Sequence, residues 1–311
     1  MTEKTIPILS IICPCYNEEE NIKTFVQKVE EVLNTLEVKT QLIFVNDGSS
    51  DNTVDELLKQ KEKNSSIKII NLSRNFGKEA ALTAGLDKAD GDIIIPIDVD
   101  LQDPIELIPK LIEKWQEGFE VVLAKRVDRT SDSFFKSFSA KYFYKFHNKI
   151  SDVPIPENVG DFRLISKKVL DALKKLPENQ RFMKGIFAWV GFKTTTIEYK
   201  REARHEGQSS FNGWKLWNFA IDGITSFSTL PLRFWMYLGV TISFLSFIYG
   251  SVILIRTLIL GVDVPGYASL IISILFLGGI QLIGIGVLGE YIGRIYLESK
   301  NRPSYIIESE Y

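Results

Sequence analysis

The first half of the chain alternates short β-branched runs with polar, amphipathic stretches. The apolar runs Leu9–Cys13, Leu42–Asn46, Ile67–Leu72, Ile93–Asp98 and Val121–Ala124 predict strands. Between them, Glu20–Leu36, Thr53–Lys61, Lys78–Lys88 and Ile105–Trp115 carry helical spacing. Such alternation predicts an α/β domain with a mainly parallel sheet and flanking helices. Sheets of this kind take ligands at the carboxyl ends of their strands. The last third follows a different pattern. Phe234–Ile255 lies uncharged between Arg233 and Arg256, and Tyr267–Gly289 lies uncharged between Asp263 and Glu290. Each matches the roughly 20 helical residues that cross a hydrocarbon core. A buried core helix is the rival reading for one such run, but two in tandem predict transmembrane helices.

This division predicts four parts: a catalytic domain over 1–210, a juxtamembrane amphipathic segment over 211–232, a two-helix transmembrane region over 233–297 and a tail over 298–311. The segment Trp214–Leu230 mixes aromatic residues with Lys215, Asn218 and Asp222, which suits a helix in the interface or one packed on the soluble part. Ser131–Ile150, with Phe134, Phe138 and Tyr142 at helical spacing, admits the same two readings. Lys215 and Arg233 precede the first span, Arg294, Lys300 and Arg302 follow the second, and Asp263 is the only charge in the loop Leu258–Gly266. The positive-inside rule then puts both termini and the catalytic domain in the cytoplasm of an integral membrane protein. Arg256 breaks the pattern and can snorkel to the interface. Gly289 and Gly293 form a small-xxx-small pair that permits close helix approach, within the chain or in a homo-oligomer.

Composition adds exclusions. The formal charge of -2 over 311 residues lacks the basic excess of a nucleic-acid binder. Cys13 and Cys15 have no further Cys or His cluster around them, so they read as small buried apolar residues in a reducing compartment. His147 and His205 lack any ligand pattern. The opening MTEKTIPILSIICPCYNEEEN lacks the long apolar core of a signal peptide.

Polar chemistry follows each predicted strand. Pro14-Cys15-Tyr16-Asn17-Glu18 follows the first, Asp47-Gly48-Ser49-Ser50-Asp51 the second, Ser73-Arg74-Asn75-Phe76-Gly77-Lys78 the third and Asp98-Val99-Asp100-Leu101-Gln102-Asp103 the fourth. Asp-Gly-Ser-Ser-Asp alone is an ordinary turn and cap. Asp103 before Pro104 reads as a helix N-cap. In an extended segment Asp98, Asp100 and Gln102 would share a face, and their hard oxygens suit Mg2+ or Mn2+ beside substrate phosphates. Lys78 and Arg74 can screen the same phosphates, although Lys78 equally suits a solvated first helical turn.

The strings PCYNEEENI, VNDGSSDNT, SRNFGKEAALTAG and DVDLQDP resemble the inverting glycosyltransferase family 2 with its GT-A-like fold. More narrowly they resemble polyprenyl-phosphate glycosyltransferases, the group of dolichol-phosphate mannose synthase and GtrB-type enzymes. The resemblance continues through GDFRLISKKVLDAL, RFMKGIFAWVGF and REARHEGQSSF into both spans; Ile105 departs from it, where many relatives carry a second proline. It implies that Pro14, Tyr16, Glu18 and Asp47 hold a nucleoside, with Asp47 accepting a uracil imide N–H. It implies that Asp98, Asp100 and Gln102 surround the metal and diphosphate. It makes Asp161 a catalytic base, or else a holder of sugar hydroxyls, because a phosphate acceptor with a second pKa of about 6 needs little deprotonation. Arg126, Arg201, Arg204 and Ser209 are implied for the acceptor phosphate, with Arg204 in the Arg-x-x-Gly-x-Ser pattern; bilayer headgroups are the rival ligand for such arginines.

The expected activity is inverting transfer of a hexose, glucose first, from a UDP-sugar to a polyprenyl phosphate on the cytoplasmic face. Mannose from GDP-mannose, N-acetylhexosamine and aminoarabinose are alternatives. A processive polysaccharide synthase fits less well, because Gln180-Arg181-Phe182 does not match its Gln-x-x-Arg-Trp motif and two spans enclose no channel. A non-catalytic scaffold would have no use for adjacent carboxylates that cost stability.

Overall fold

A computed structural model describes residues 6–127, 148, 154, 156, 158–179, 181–199, 225, 228–260 and 266–311. Strands β1 (Ile8–Cys15), β2 (Lys39–Asn46), β3 (Ile67–Leu72), β4 (Ile93–Pro96), β5 (Val121–Arg126), β6 (Val159–Ser166), β7 (Thr194–Tyr199) and β8 (Ile307–Glu310) form one sheet in the order β7-β5-β6-β4-β1-β2-β3-β8. β6 runs antiparallel to β4 and β5, and β8 antiparallel to β3; the other pairings are parallel. The expected α/β, GT-A-like architecture is what forms.

Both faces of the sheet are covered at its centre, so β1, β2 and β4 are buried along most of their length, whereas the edge strands β7 and β8 alternate. Leu9, Ile11, Cys13 and Cys15 of β1 face one core, and Ile12 faces the other. Helix α1 (Glu19–Leu33) buries Ile22, Phe25, Val26, Val29 and Leu33, a 3.6-residue stripe, and Phe25 meets Phe44 edge-on at 6.1 Å. On the opposite face lies α3 (Lys78–Lys88), whose Ala, Thr and Gly positions are nearly all buried. A Cβ on Gly85 would fall 2.2 Å from Ile12 Cγ2, so glycine sets how closely α3 approaches β1. Helices α2 (Thr53–Lys63), α4 (Ile108–Gln116), α5 (Lys167–Lys174) and α6 (Met183–Trp189) complete the soluble part.

The structure departs from expectation in three places. β4 stops at Pro96, and residues 98–101 turn, with Leu101 at φ 57. The extended alternation of Asp98, Asp100 and Gln102 is therefore absent; the Gln102 N–H instead donates to Asp100 Oδ1 at 3.2 Å. Pro104, not Asp103, takes the N-cap position before the 3-10 turn Ile105–Leu107, which runs into α4; the buried Asp103 accepts from Tyr199 Oη at 2.5 Å. Within the segment expected as a tail, Ile307–Glu310 form edge strand β8. Ile69 and Tyr311 exchange both backbone hydrogen bonds at 2.9 Å, which covers the otherwise open edge of β3.

Helices α7 (Leu230–Leu260) and α8 (Tyr267–Ser299) are long and apolar enough to cross a membrane. The indole of Trp235 packs over Gly284, where a Cβ would sit 3.2 Å from the ring. Gly289 and Gly293 meet nothing within 4 Å among the described residues. The Tyr291 hydroxyl donates to Ser228 O at 2.6 Å, pinning the end of α8 to the start of α7. Beyond it, Glu298 accepts the Asn179 N–H at 2.7 Å, and Tyr305 donates to Asp87 at 2.9 Å. The long helix is thereby tied to the sheet domain.

Candidate active site at the carboxyl rim of the sheet

Strand β1 has β2 on one side and β4 on the other, so the chain order reverses there. Loops after β1 and β4 diverge at such a point and leave a crevice. The loop after β1 is stitched to the loop after β2. The Asn17 N–H donates to Ser49 Oγ at 2.9 Å, Ser50 N–H to Asn17 Oδ1 at 2.8 Å, and Glu18 N–H to Thr53 Oγ1 at 2.9 Å. Pro14 is the last but one residue of β1 within this frame, Tyr16 is exposed at the rim, and the Glu18 carboxylate accepts from Asn21 Nδ2 at 2.6 Å.

Asp47 is buried, and its two oxygens accept the backbone N–H groups of Phe76 and Gly77 at 2.7 and 2.9 Å. Burial nevertheless pushes its pKa up. Gly48 makes the contact feasible. It sits at φ +64, and a Cβ there would lie 2.4 Å from the backbone carbon of Arg74. The Asp47 loop and the Arg74–Lys78 loop thus form one surface, with the Arg74 guanidinium stacked 4.0 Å over the Phe76 ring.

Lys78 opens α3 and reaches across the crevice. Its Nζ lies 2.8 Å from Asp98 and 2.7 Å from Asp161. Asp161 belongs to β6, whose antiparallel course brings its N-terminal end to the rim where parallel strands end. Burial alone would raise the Asp161 pKa; the cations of Lys78 and Lys184 reverse this and hold it at about 2. Burial raises Asp98, and Lys78 only partly offsets it. The Lys78 ammonium, flanked by two carboxylates, is driven well above the usual lysine range, although partial desolvation pulls the other way. Asp100, on the turn after Asp98, adds further repulsion on it.

Three participants had no distinctive sequence signal. Glu79 looks like a first-turn acid, yet it is pushed up to about 7 by burial and by Asp161, and accepts the Met183 N–H at 3.2 Å. Arg163 is buried; it donates to Gly160 O at 2.6 Å and Asp161 O at 3.3 Å, and stacks 4.2 Å over Phe187. It holds the backbone that presents Asp161. Lys184, on α6, contributes charge toward Asp161 and Glu79.

Asp98 and Asp100 repel each other on the acidic turn, while Lys78 pairs with Asp98 and Asp161. Among the described residues no three His, Cys, Asp or Glu side chains gather as a complete metal cage. Two hard carboxylates that repel each other still fit an ion such as Mg2+, which takes few protein ligands and fills its shell with water and phosphate. Arg126 ends β5 at the same rim, beside Lys125, which pairs with Glu198 at 3.6 Å. Arg201, Arg204, Ser209, His147, His205 and nearly all of Ser131–Ile150 and Trp214–Leu230 lie outside the described residues.

Residues 10–174 match the family model described as Glycosyl transferase family 2. The chain is a family 2 glycosyltransferase. Residues 230–295 match a second model, the GtrB C-terminal hairpin, which assigns the two long helices to the same GtrB type. Bactoprenol glucosyl transferase of Shigella phage SfV is 56% identical over 302 residues, covering 97% of this chain and 98% of the relative. The prophage bactoprenol glucosyl transferase homolog of Escherichia coli K12 is 55% identical, covering 96% and 98%. A solved mannosyltransferase of Pyrobaculum calidifontis aligns over 96% of this glycosyltransferase and 89% of its own chain, at 15% identity and a TM-score of 0.48.

Proposed function

We propose that this glycosyltransferase moves glucose from a UDP-sugar to a polyprenyl phosphate at the cytoplasmic face of a membrane, inverting the anomeric centre in one displacement. The observation that carries the reading is likeness over the whole length, catalytic domain and hairpin together, to bactoprenol glucosyl transferases. Pro14, Tyr16, Glu18 and Asp47 are assigned to the nucleoside, in the frame made by the first two loops. Asp98 and Asp100, with Gln102, would hold Mg2+ or Mn2+, which when bound neutralises the diphosphate leaving group. Lys78 supplies a fixed positive charge on the same side, and Arg126, Arg201, Arg204 and Ser209 are assigned to the acceptor phosphate.

Asp161 fits an orienting role better than that of a base. A carboxylate held at about 2 is ionised throughout the physiological range and accepts protons poorly. An acceptor phosphate with a second pKa of about 6 is already a nucleophile near neutrality and needs placement instead. The spans fit a lipid acceptor whose tail stays in the bilayer, with both termini cytoplasmic and the chain divided as 1–210, 211–232, 233–297 and 298–311.

The test is incubation of membranes containing the full chain with labelled UDP-glucose and undecaprenyl phosphate. Label should enter the organic phase and depend on the divalent ion. No organic-phase label with UDP-glucose, other UDP-hexoses or GDP-mannose would reject the proposal.

A further inference from the structure

A cationic site lies beside the carboxylate rim, sharing Arg74 and Glu79 with it, where α8 joins the sheet. A cavity of about 570 Å³ is lined by Arg74, Arg181, Arg294, Lys300 and Arg302, with Glu79 as its acidic member. These cations come from the loop after β3, the approach to α6, the last turns of α8 and the link to β8. Gathering them in a chain of net charge -2 costs mutual repulsion. The fold holds several in place: Arg181 donates to Glu178 O and Leu176 O, at 3.1 and 3.0 Å, and Lys300 stacks 4.1 Å over Tyr296. Arg294 pairs at 3.7 Å with Glu290, one helical turn before it.

The position of the cavity selects the ligand. The uncharged run of α8 ends at Gly289. Arg294 follows five residues later, about 7 Å along the axis at helical rise, within the headgroup layer of a bilayer. Guanidinium groups take phosphate oxygens in pairs, and basic pockets beside the cytoplasmic ends of membrane helices suit anionic lipids. We propose that this junction cavity binds the phosphate of an anionic bilayer phospholipid and seats the catalytic domain on the membrane surface. The site is separate from the acceptor residues assigned above, and it rests on the reading that α7 and α8 span a bilayer.

Full-length protein in mixed micelles is to be titrated with phosphatidylglycerol or phosphatidylcholine, with bound lipid read by native mass spectrometry and Tm followed in parallel. The wild type should hold phosphatidylglycerol about tenfold more tightly than phosphatidylcholine and gain Tm from it. R294Q/R302Q should erase the preference. If that variant unfolds, K300Q/R302Q, at exposed positions, should at least halve it. Equal retention of both lipids by wild type, or an undiminished preference in the folded variants, overturns the site. Stoichiometric displacement of phosphatidylglycerol by undecaprenyl phosphate reassigns the cavity to the acceptor, and displacement by inorganic phosphate alone reassigns it to a free anion; each overturns the proposal. Alkaline carbonate washing separates the premise: release from membranes overturns the spanning reading and this site with it, whereas retention with equal lipid binding overturns the site alone.

Discussion

Lys78 and Asp161 meet at 2.7 Å, one on the first turn of α3 and the other near the start of β6. The pair exists because β6 runs against its neighbours and carries its opening residues to the rim where β1 and β4 end. The same ammonium touches Asp98, so one cation joins the acidic turn after β4 to the aspartate of the antiparallel strand.

Replacing Lys78 with Gln leaves Asp98 and Asp161 facing each other without it. Turnover should fall about 100-fold. Stability should drop by about 1–3 kcal/mol, less than for a fully buried pair because the lysine side chain is half-exposed. Lys78→Arg should recover part of both. Steady-state assays and thermal melts check this; unchanged turnover in K78Q would remove Lys78 from the site.

Asp161→Asn separates orientation from proton removal. Donor binding, measured calorimetrically with the UDP-sugar, should stay within about threefold, and kcat should fall by about two orders of magnitude. If Asp161 orients, the kcat–pH profile of wild type shows no limb attributable to a base near neutrality. A limb near neutrality in wild type that vanishes in D161N would favour the base role instead.

Glu79 predicts a pH dependence of stability. Its folded pKa of about 7 lies above the ordinary 4.5, so the folded state binds a proton that the unfolded state has released. Its contribution is fully present below 4.5 and lost as pH rises through 7. Glu79→Gln should flatten the fall in Tm between pH 5 and pH 8, a difference of about 1–3 kcal/mol. Asp161, shifted the other way, contributes stability above 3.8 that disappears only as pH falls toward 2, outside this window. Identical pH profiles for wild type and E79Q would contradict the assignment.

Gly48→Ala forces a side chain into the left-handed region and against the backbone of Arg74. Backbone cannot yield as a side-chain tip does, so a loss of about 1–3 kcal/mol is expected. UDP affinity should weaken with it, because Asp47 and the Phe76–Gly77 amides must separate. A melt with and without UDP reads both effects.

Deleting residues 305–311 removes β8, its ladder to β3, the Tyr305–Asp87 hydrogen bond and the Lys88–Glu310 pair. The exposed β3 edge should lower Tm by several degrees and promote aggregation on size-exclusion chromatography. A truncated chain that melts and elutes like wild type would deny β8 a structural part.

Much of this was legible along the chain. Strand β3 and helix α3 fall where periodicity predicts, because long runs such as IKIINL and KEAALTAGLDK satisfy local and tertiary preferences together. The acidic turn after β4 was visible as composition, but its shape was not: Pro96 ends the strand and Leu101 takes a positive φ, so alternation fails there. Glu79 was hidden, because a first-turn glutamate on a solvated helix and one buried beside Asp161 have the same sequence appearance.

The sequence by itself determined the α/β class, the two membrane-length helices and the polar loops after the strands, since each depends on periods of two or 3.6 residues and on runs of apolar length. Only the tertiary structure decided that Lys78 pairs with both Asp98 and Asp161, that Asp161 sits near a pKa of 2 while Glu79 sits near 7, and that the chain's last residues close the sheet edge. Those outcomes depend on distances between residues far apart in the chain. Burial and Coulomb interaction act through space, and no local pattern records them.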